Sequence, residues 1–380
     1  MSPYIKKIRP VGNTINTTKN NIDDSPFSPF YTQFYNSGTA SLAATIIAAI
    51  KLKPDINNPE VIVPAYGCPD LISAVIYAKA IPVLVDLEPD SPQMSLQHLK
   101  NLVSDKTVAV IAVRFFGIPE RNEELYQIAK SYNAILIEDS AQGFPVHNMD
   151  SYWQGDFVIL SFGRGKPVNL LGGGAVLARN QTLMNLLPDS PTEKNSLKND
   201  VKYILKLFLY NLSIQPTAYG LITKIPGLNI GLTVYKPLNA LGRMSDFSKQ
   251  RLTSNLKSYR NRINQQKEYL KFFKKGNGEL VYDLPSKLSY DMSQPLLRYP
   301  VIVKNESMRK QLYKKLKPYG ASIMYKEPLH EIENVGRLLK QPANDYPNAN
   351  KFARQLLTLP THEAANKKVL LTIQKIIKNT

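Results

Sequence analysis

Residues 108–139 read VAVIAVRFFGIPERNEELYQIAKSYNAILIED. Val108–Val113 is a continuous apolar run, Glu120–Ser131 has an amphipathic helical pattern, and Ala134–Ile137 is apolar again. A strand, a helix and a second strand in so short a span predict a parallel pair joined by a crossover helix. The alternation extends outward. Val61–Val63, Pro82–Val85 and Phe157–Phe162 read as strands, and Asp70–Lys79 and Ser95–Val103 as helices. Asn36-Ser-Gly-Thr39 precedes a further helix with Leu42, Ile46 and Ile50 on one face. Continuous apolar strands between amphipathic helices imply an α/β fold with a mostly parallel sheet covered on both faces, three layers in all.

Ligands on such sheets gather beyond the carboxyl ends of the strands. Arg114 ends one strand, and Glu138-Asp139, followed by Ser140-Ala-Gln142, ends the next. The helix start at Gly38-Thr39 leaves backbone N–H groups for a phosphate, although a plain N-cap is the commoner use of such residues. Beyond the last parallel strand lies Ser161-Phe-Gly-Arg-Gly-Lys166-Pro-Val-Asn-Leu-Leu-Gly-Gly-Gly174-Ala-Val-Leu177. It fixes one lysine between glycine-rich segments, as a Schiff-base lysine requires. Such an amine condenses with an aldehyde only when deprotonated, which desolvation or a neighbouring cation such as Arg164 favours. By itself the stretch reads equally well as a glycine-rich turn with an incidental basic pair.

The chain has 380 residues, 43% apolar and 21% charged, enough for two domains with a sizeable core. Its formal charge of +18 comes from Lys and Arg that are scattered, densest after Asp200, so a nucleic-acid partner is not expected. A single cysteine, Cys68, excludes an internal disulfide framework and suits a reducing compartment. A polar, basic start and the lack of a long apolar run complete the expectation of a cytoplasmic protein. No metal-ligand cluster, repeat or Walker loop stands out, and the four histidines, His98, His147, His330 and His362, are widely spaced.

From Pro188 the alternation stops. Asp200–Tyr235 is rich in Leu, Ile, Phe and Tyr, with lysines among them and breaks at Pro216 and Pro226. It reads as an excursion packed on the body or across a dimer. The alternative is a peripheral membrane contact through 200–235. A long helical pattern then runs from Ser245 to about Phe273, with Lys249, Arg251, Lys257, Arg260 and Arg262 on a face expected to be solvated. Pro300–Val303 and Ala321–Met324 read as strands, and Ser307–Lys317 and Lys367–Ile377 as helices, of a closing α+β unit.

In order along the chain stand Ser37-Gly-Thr-Ala, Val61-Ile-Val-Pro-Ala-Tyr, Pro82-Val-Leu-Val-Asp, Ile137-Glu-Asp-Ser-Ala-Gln142, Gly155-Asp-Phe with Ser161-Phe, Lys166, and Gly172-Gly-Gly-Ala-Val. Arg243-Met-Ser, Tyr325 with Pro328-Leu-His330, and Leu357-Thr-Leu-Pro-Thr-His362 follow. With these, the chain resembles the fold-type-I pyridoxal-phosphate aminotransferases of the DegT/DnrJ/StrS group, which act on nucleotide-linked keto sugars. The resemblance implies an aspartate-aminotransferase-like large domain over residues 1–240, with an expansion at 188–236, and a small α+β domain over 241–380. It also implies a homodimer.

By the resemblance, Lys166 carries pyridoxal 5'-phosphate and acts as base, and Asp139 keeps the ring nitrogen protonated. Gln142 lies against the ring, and Gly38, Thr39 and Ser161 hold the phosphate. Arg114, Tyr325 and His330 are substrate candidates. The blander roles are a helix N-cap for Asp139 and a satisfied strand hydroxyl for Ser161. Three departures fall near the expected site. Cys68 stands where the family commonly has an aromatic against the cofactor, with Tyr66 nearby; Leu241 replaces a cross-subunit asparagine; and Arg114 replaces a frequent histidine. The expected reaction turns a keto sugar into an amino sugar for polysaccharide or glycan synthesis, with glutamate as donor. The alternatives are a related sugar dehydratase, an outcome that goes with loss of this lysine in the family, or a non-catalytic membrane-surface protein.

Overall fold

The computed structural model describes residues 6–22, 26–146, 149–190, 197–226, 233–261, 264–276, 280–290, 292–341 and 345–380. His147, Arg262 and parts of the 188–236 expansion lie outside them.

In chain order, β1 (Tyr31–Tyr35) and α1 (Gly38–Leu52) precede β2 (Glu60–Pro64), α2 (Asp70–Tyr77), β3 (Ile81–Val85), α3 (Leu96–Leu102), β4 (Thr107–Val113), α4 (Asn122–Ser131) and β5 (Ile135–Asp139). Next come α5 (Met149–Tyr152), β6 (Phe157–Ser161), β7 (Gly174–Ala178), α6 (Gln181–Met184), α7 (Leu197–Ser213) and α8 (Pro216–Ile222). The remainder is α9 (Asp246–Lys249), α10 (Leu252–Arg260), α11 (Gln266–Lys274), β8 (Val281–Asp283), α12 (Leu284–Lys287), β9 (Arg298–Val303), α13 (Glu306–Leu316), α14 (Pro347–Gln355), β10 (Leu356–Pro360) and α15 (Lys367–Lys378).

Among the described residues the strands form a seven-stranded sheet, ordered β1-β7-β6-β5-β4-β2-β3, and a three-stranded one, β10-β9-β8. Strands β2 to β6 are parallel, as expected, while β7 pairs antiparallel with β6 and β1 antiparallel with β7. Successive side chains point to opposite faces, and both faces are buried. Val61 and Val63 enter one apolar cluster and Ile62 another; Phe157 and Ile159 enter one, Val158 and Leu160 another.

The C-terminal unit differs from expectation in two places. Ala321–Met324 is not a strand: Ser322 makes one isolated bridge to Thr358, and the third position of the small sheet is filled by β8. The expected long helix is broken into α9, α10 and α11. Lys249 and Arg251 are buried rather than solvated, Lys249 lying 4.8 Å over the Phe34 ring and Arg251 3.7 Å over Phe247. An aromatic face attracts a cation and shields its stem, so a basic residue at a helical polar position can turn inward. Leu252, Leu256 and Tyr259 of α10 share an apolar cluster with Val158 and Leu160 of the large sheet. The unit expected over 241–380 therefore begins with helices that pack on the large sheet.

Candidate active site

The carboxyl ends of β5 and β6 and the amino end of α1 converge. Ser37 caps α1, its hydroxyl accepting from Ala40 N at 3.1 Å, which leaves the Gly38 and Thr39 N–H groups at an open helix start. Gly38 rests directly on Ser161: a Cβ at residue 38 would lie 2.7 Å from Ser161 Cβ and 2.9 Å from its Oγ. Helix N-terminus and strand-end hydroxyl are thus pressed together, the arrangement that receives a phosphate. Thr39 Oγ1 donates to Asp70 Oδ2 at 3.1 Å, which ties this rim to the start of α2. A Gly38→Ala variant should therefore push the two elements apart and weaken cofactor retention by about tenfold or more, an estimate for losing one or two charge-assisted hydrogen bonds. Equilibrium dialysis would measure it, and unchanged retention would remove Gly38 from the cradle.

Phe162 closes the strand onto Gly173, and the chain then turns through Gly163-Arg-Gly165. Gly165 has φ +74°, a left-handed position that suits glycine, and Lys166 N donates to Gly163 O at 3.2 Å. The turn brings the Lys166 side chain back over the strand end, so that a Cβ on Gly163 would meet both Ser161 Oγ at 3.6 Å and Lys166 Cγ at 3.9 Å. Asp139 ends β5 next to β6 and accepts from Ala141 N at 2.9 Å. Burial pushes its carboxyl up, while the positive charge of Lys166 and the Ala141 N–H oppose that. An ionised Asp139 is thus costly unless a cation faces it, which is what a protonated ring nitrogen would supply.

Cys68 lies within the electrostatic reach of both Lys166 and Asp139, and burial pushes its thiol up to about 12, so it is a neutral thiol. Tyr66 does not replace the missing aromatic. Its ring is fully buried behind the site against Phe115, Tyr325 and Phe352, and its hydroxyl donates to Tyr325 O. Gln142 is pinned at both ends: Oε1 accepts from Phe116 N at 3.1 Å, and Nε2 donates to Tyr325 Oη at 3.3 Å. Tyr325 feels Cys68, Tyr66, Asp139 and Arg298 together, and burial raises its phenol well above the usual range.

Two substrate candidates are engaged by other side chains, although Arg114 N donates to Asp139 O at 3.0 Å. Arg114 is not an open cation at a strand end: it donates to Glu138 Oε1 through Nε at 3.0 Å and through Nη2, and stacks on Tyr152. Glu138 in turn accepts from Gln154 N and Gly155 N, so the pair is fully committed within the core. His330 packs on Tyr346, 4.9 Å between ring centroids, and burial lowers its pKa while Glu331, Asp345 and Asp86 oppose that.

The sequence reading missed two contributors. Arg298 opens β9, and its Nε and Nη1 are buried without a hydrogen-bond partner among the described residues. Burial lowers its pKa, with Tyr325, Tyr219 and Tyr66 around it opposing that. A cation at the head of the apolar strand was the available signal, but the strand was expected to begin at Pro300. The second contributor is the N-terminal arm. Val11 would touch a Cβ on Gly165 at 3.0 Å, Asn13 Nδ2 donates to Pro167 O at 3.3 Å, and Asn211 of α7 exchanges two hydrogen bonds with Ile15. Arm and α7 together cover the lysine turn. Nothing in a polar N-terminal segment announces this, because the contacts are made across more than 150 residues.

The sequence profile described as the DegT/DnrJ/EryC1/StrS aminotransferase family matches residues 33–378. Among curated proteins, GDP-perosamine synthase of Escherichia coli O157:H7 is 30% identical over 155 residues, 40% of this chain and 42% of that one. The chain thus aligns with under half of that relative's length. The dTDP-4-amino-4,6-dideoxy-D-glucose transaminase of Escherichia coli is 25% identical over 353 residues, 90% of this chain and 84% of that one. Among solved structures, NtdA of Bacillus subtilis with bound cofactor PMP superimposes with a TM-score of 0.68 at 17% identity, covering 93% of this chain and 74% of that one. That likeness concerns the fold.

Proposed function

The chain belongs to the DegT/DnrJ/EryC1/StrS aminotransferase family, and from that premise we propose that it transfers an amino group from glutamate to a nucleotide-linked keto sugar, using pyridoxal phosphate, in polysaccharide or glycan synthesis. The observation that carries the reading is the Lys166 side chain turned back over the Ser161 strand end, beside the Gly38–Ser161 contact and within electrostatic reach of Asp139. When bound, pyridoxal phosphate supplies an electron sink for the carbon that loses or gains the proton.

Each residue then has a task. The Gly38 and Thr39 N–H groups and the Ser161 hydroxyl hold the phosphate. The Asp139 carboxylate would keep a proton on the ring nitrogen, and that cation would in turn offset the burial that raises Asp139. Lys166 Nζ would hold the cofactor through its aldehyde, with loss of water, and as a free amine would carry the proton to and from the reacting carbon. Gln142, held by Phe116 N and Tyr325, is fixed along the ring. By the resemblance Cys68 stands where a stacking aromatic is common, so it would cover the ring less than an aromatic does. The N-terminal arm keeps water from the lysine turn.

Arg298 is the residue we assign to the carboxylate of the amino donor. Two buried guanidinium nitrogens without a partner among the described residues are costly, and a planar carboxylate is the group that matches their donor fork. Arg298→Gln should raise KM for glutamate by about tenfold to a hundredfold, the loss of one charge-assisted pair, and leave KM for the keto sugar within twofold or so. Equal rises for both substrates would place Arg298 in support of the fold instead.

The reading includes a homodimer, a cytoplasmic location suited to the free thiol Cys68, and division of the chain into a cofactor unit over 1–240 and a smaller unit over 241–380. The direct test is to incubate the purified protein with glutamate and 4-keto nucleotide sugars and follow amino-sugar formation by mass spectrometry. Loss of the visible cofactor absorbance on adding glutamate, and its return on adding the keto sugar, is the expected result. A bound cofactor that no amino donor converts would overturn the transferase reading.

A further inference from the structure

Helix α7 is apolar on two sides. Its inner side is Tyr203, Leu207 and Tyr210: Leu207 is fully buried in the cluster beneath, and Tyr203 Oη donates to Leu170 O at 2.6 Å. Its outer side carries Val201, Ile204, Leu205, Phe208, Leu209 and Leu212, all exposed, with Val201 at 67% and Phe208 at 64%. These six recur at three- and four-residue spacings, so they form one stripe, about 140° wide at 3.6 residues per turn. The excursion does not pack this stripe on the body, which removes the plainest account of its composition. The expected break at Pro216 falls beyond the stripe: α7 ends at Ser213, and Pro216 takes the first position of α8, where a proline is tolerated.

A continuous exposed apolar stripe of this size marks a contact surface. The charge around it selects the occupant. Residues 201–245 contain no Asp or Glu, and their five cations, Lys202, Lys206, Lys224, Lys236 and Arg243, are all exposed. Lys202 and Lys206 sit one turn apart on the flank of the stripe, where their stems lie along apolar surface and their amines reach outward. Asp200, in the first turn of α7, is the nearest acid; beyond it, a second copy seated on this face would bring the same lysine-bearing surface against itself. No helix among the described residues is long and apolar enough to cross a membrane. We propose that α7 docks the protein peripherally on an anionic lipid bilayer, its apolar stripe at the acyl boundary and Lys202 and Lys206 at the headgroups. The chain's formal charge of +18 adds long-range attraction to such a surface. The proposal stands apart from the reaction at Lys166 and would hold whatever the sugar.

Flotation of the full-length, cofactor-loaded protein with phosphatidylglycerol-containing and pure phosphatidylcholine vesicles, at low and high salt, tests this. Binding should be at least about tenfold stronger on the anionic vesicles and should fall with salt. Lys202→Glu/Lys206→Glu should lower binding to anionic vesicles by about tenfold or more, and Phe208→Ser/Leu209→Ser should abolish it. Both double variants change exposed side chains, so far-UV circular dichroism and cofactor absorbance should match the parent protein. Absence of binding, equal binding to both lipids, or variants that bind like the parent would overturn the proposal. So would a self-associated species that the Phe208/Leu209 variant dissociates in sedimentation without any lipid dependence, because the stripe would then be an interface between copies.

Discussion

Lys166→Ala should eliminate the borohydride-stable link between protein and cofactor and lower turnover by about 10²- to 10⁴-fold, the usual contribution of a positioned acid–base group. The covalent bond needs a primary amine at the end of a flexible stem, and the Gly163–Gly165 turn brings this one over the Ser161 strand end. Lys166→Arg is the sharper variant. It keeps the positive charge that acts on Asp139 and Cys68, yet a guanidinium stays protonated and cannot condense with an aldehyde. The phosphate cradle at Gly38 and Ser161 is untouched by either change, so both variants should still take up cofactor, without covalent attachment. Peptide mapping after borohydride decides the assignment: a label on any other lysine would remove Lys166 from the role.

Asp139→Asn should leave cofactor binding near normal while turnover drops by about 10²- to 10³-fold, the scale for removing one preorganised charge at a reacting centre. Asparagine keeps the size and can still accept from Ala141 N. What it lacks is the negative charge that holds a proton on the ring nitrogen. The pH dependence carries the sign. Burial raises the Asp139 carboxyl, so in the free chain its charge is present only above that raised value and is lost as pH falls through it. A facing cation would bring the carboxyl back down, so the loaded protein should keep activity to lower pH than the raised value alone would allow, and the Asn variant should lack the acid limb that Asp139 sets. Near-normal turnover in Asp139→Asn would sink the role.

The sequence alone determined the parallel core. Apolar runs at 61–63, 82–85, 108–113, 134–137 and 157–162 become β2 to β6 within one or two residues. Buried strands covered on both faces must be apolar throughout, and that property is local. It also placed Asp139, Ser161 and Lys166 on one side, because residues that end parallel strands, or follow directly on one, gather at the same edge of the sheet. The order of the family's markers added the expected chemistry to those positions.

Tertiary structure decided the rest, through contacts between distant segments. Whether the strand-end cation Arg114 faces a ligand or Glu138 depends on Gln154 and Gly155 fixing that carboxylate from another element. Lys249 and Arg251 look solvated in a helical projection and are buried because Phe34 and Phe247 offer ring faces. The antiparallel closure by β7 and β1, the arm drawn over Lys166, and the two guanidinium nitrogens of Arg298 without a partner among the described residues have no periodic signature. The two faces of α7 make the same point: its composition announces apolar surface, but only packing against Leu170 shows which half is buried and leaves the other half open. A local pattern reports whether a residue avoids water; which neighbour it meets instead is settled by the chain's return from elsewhere.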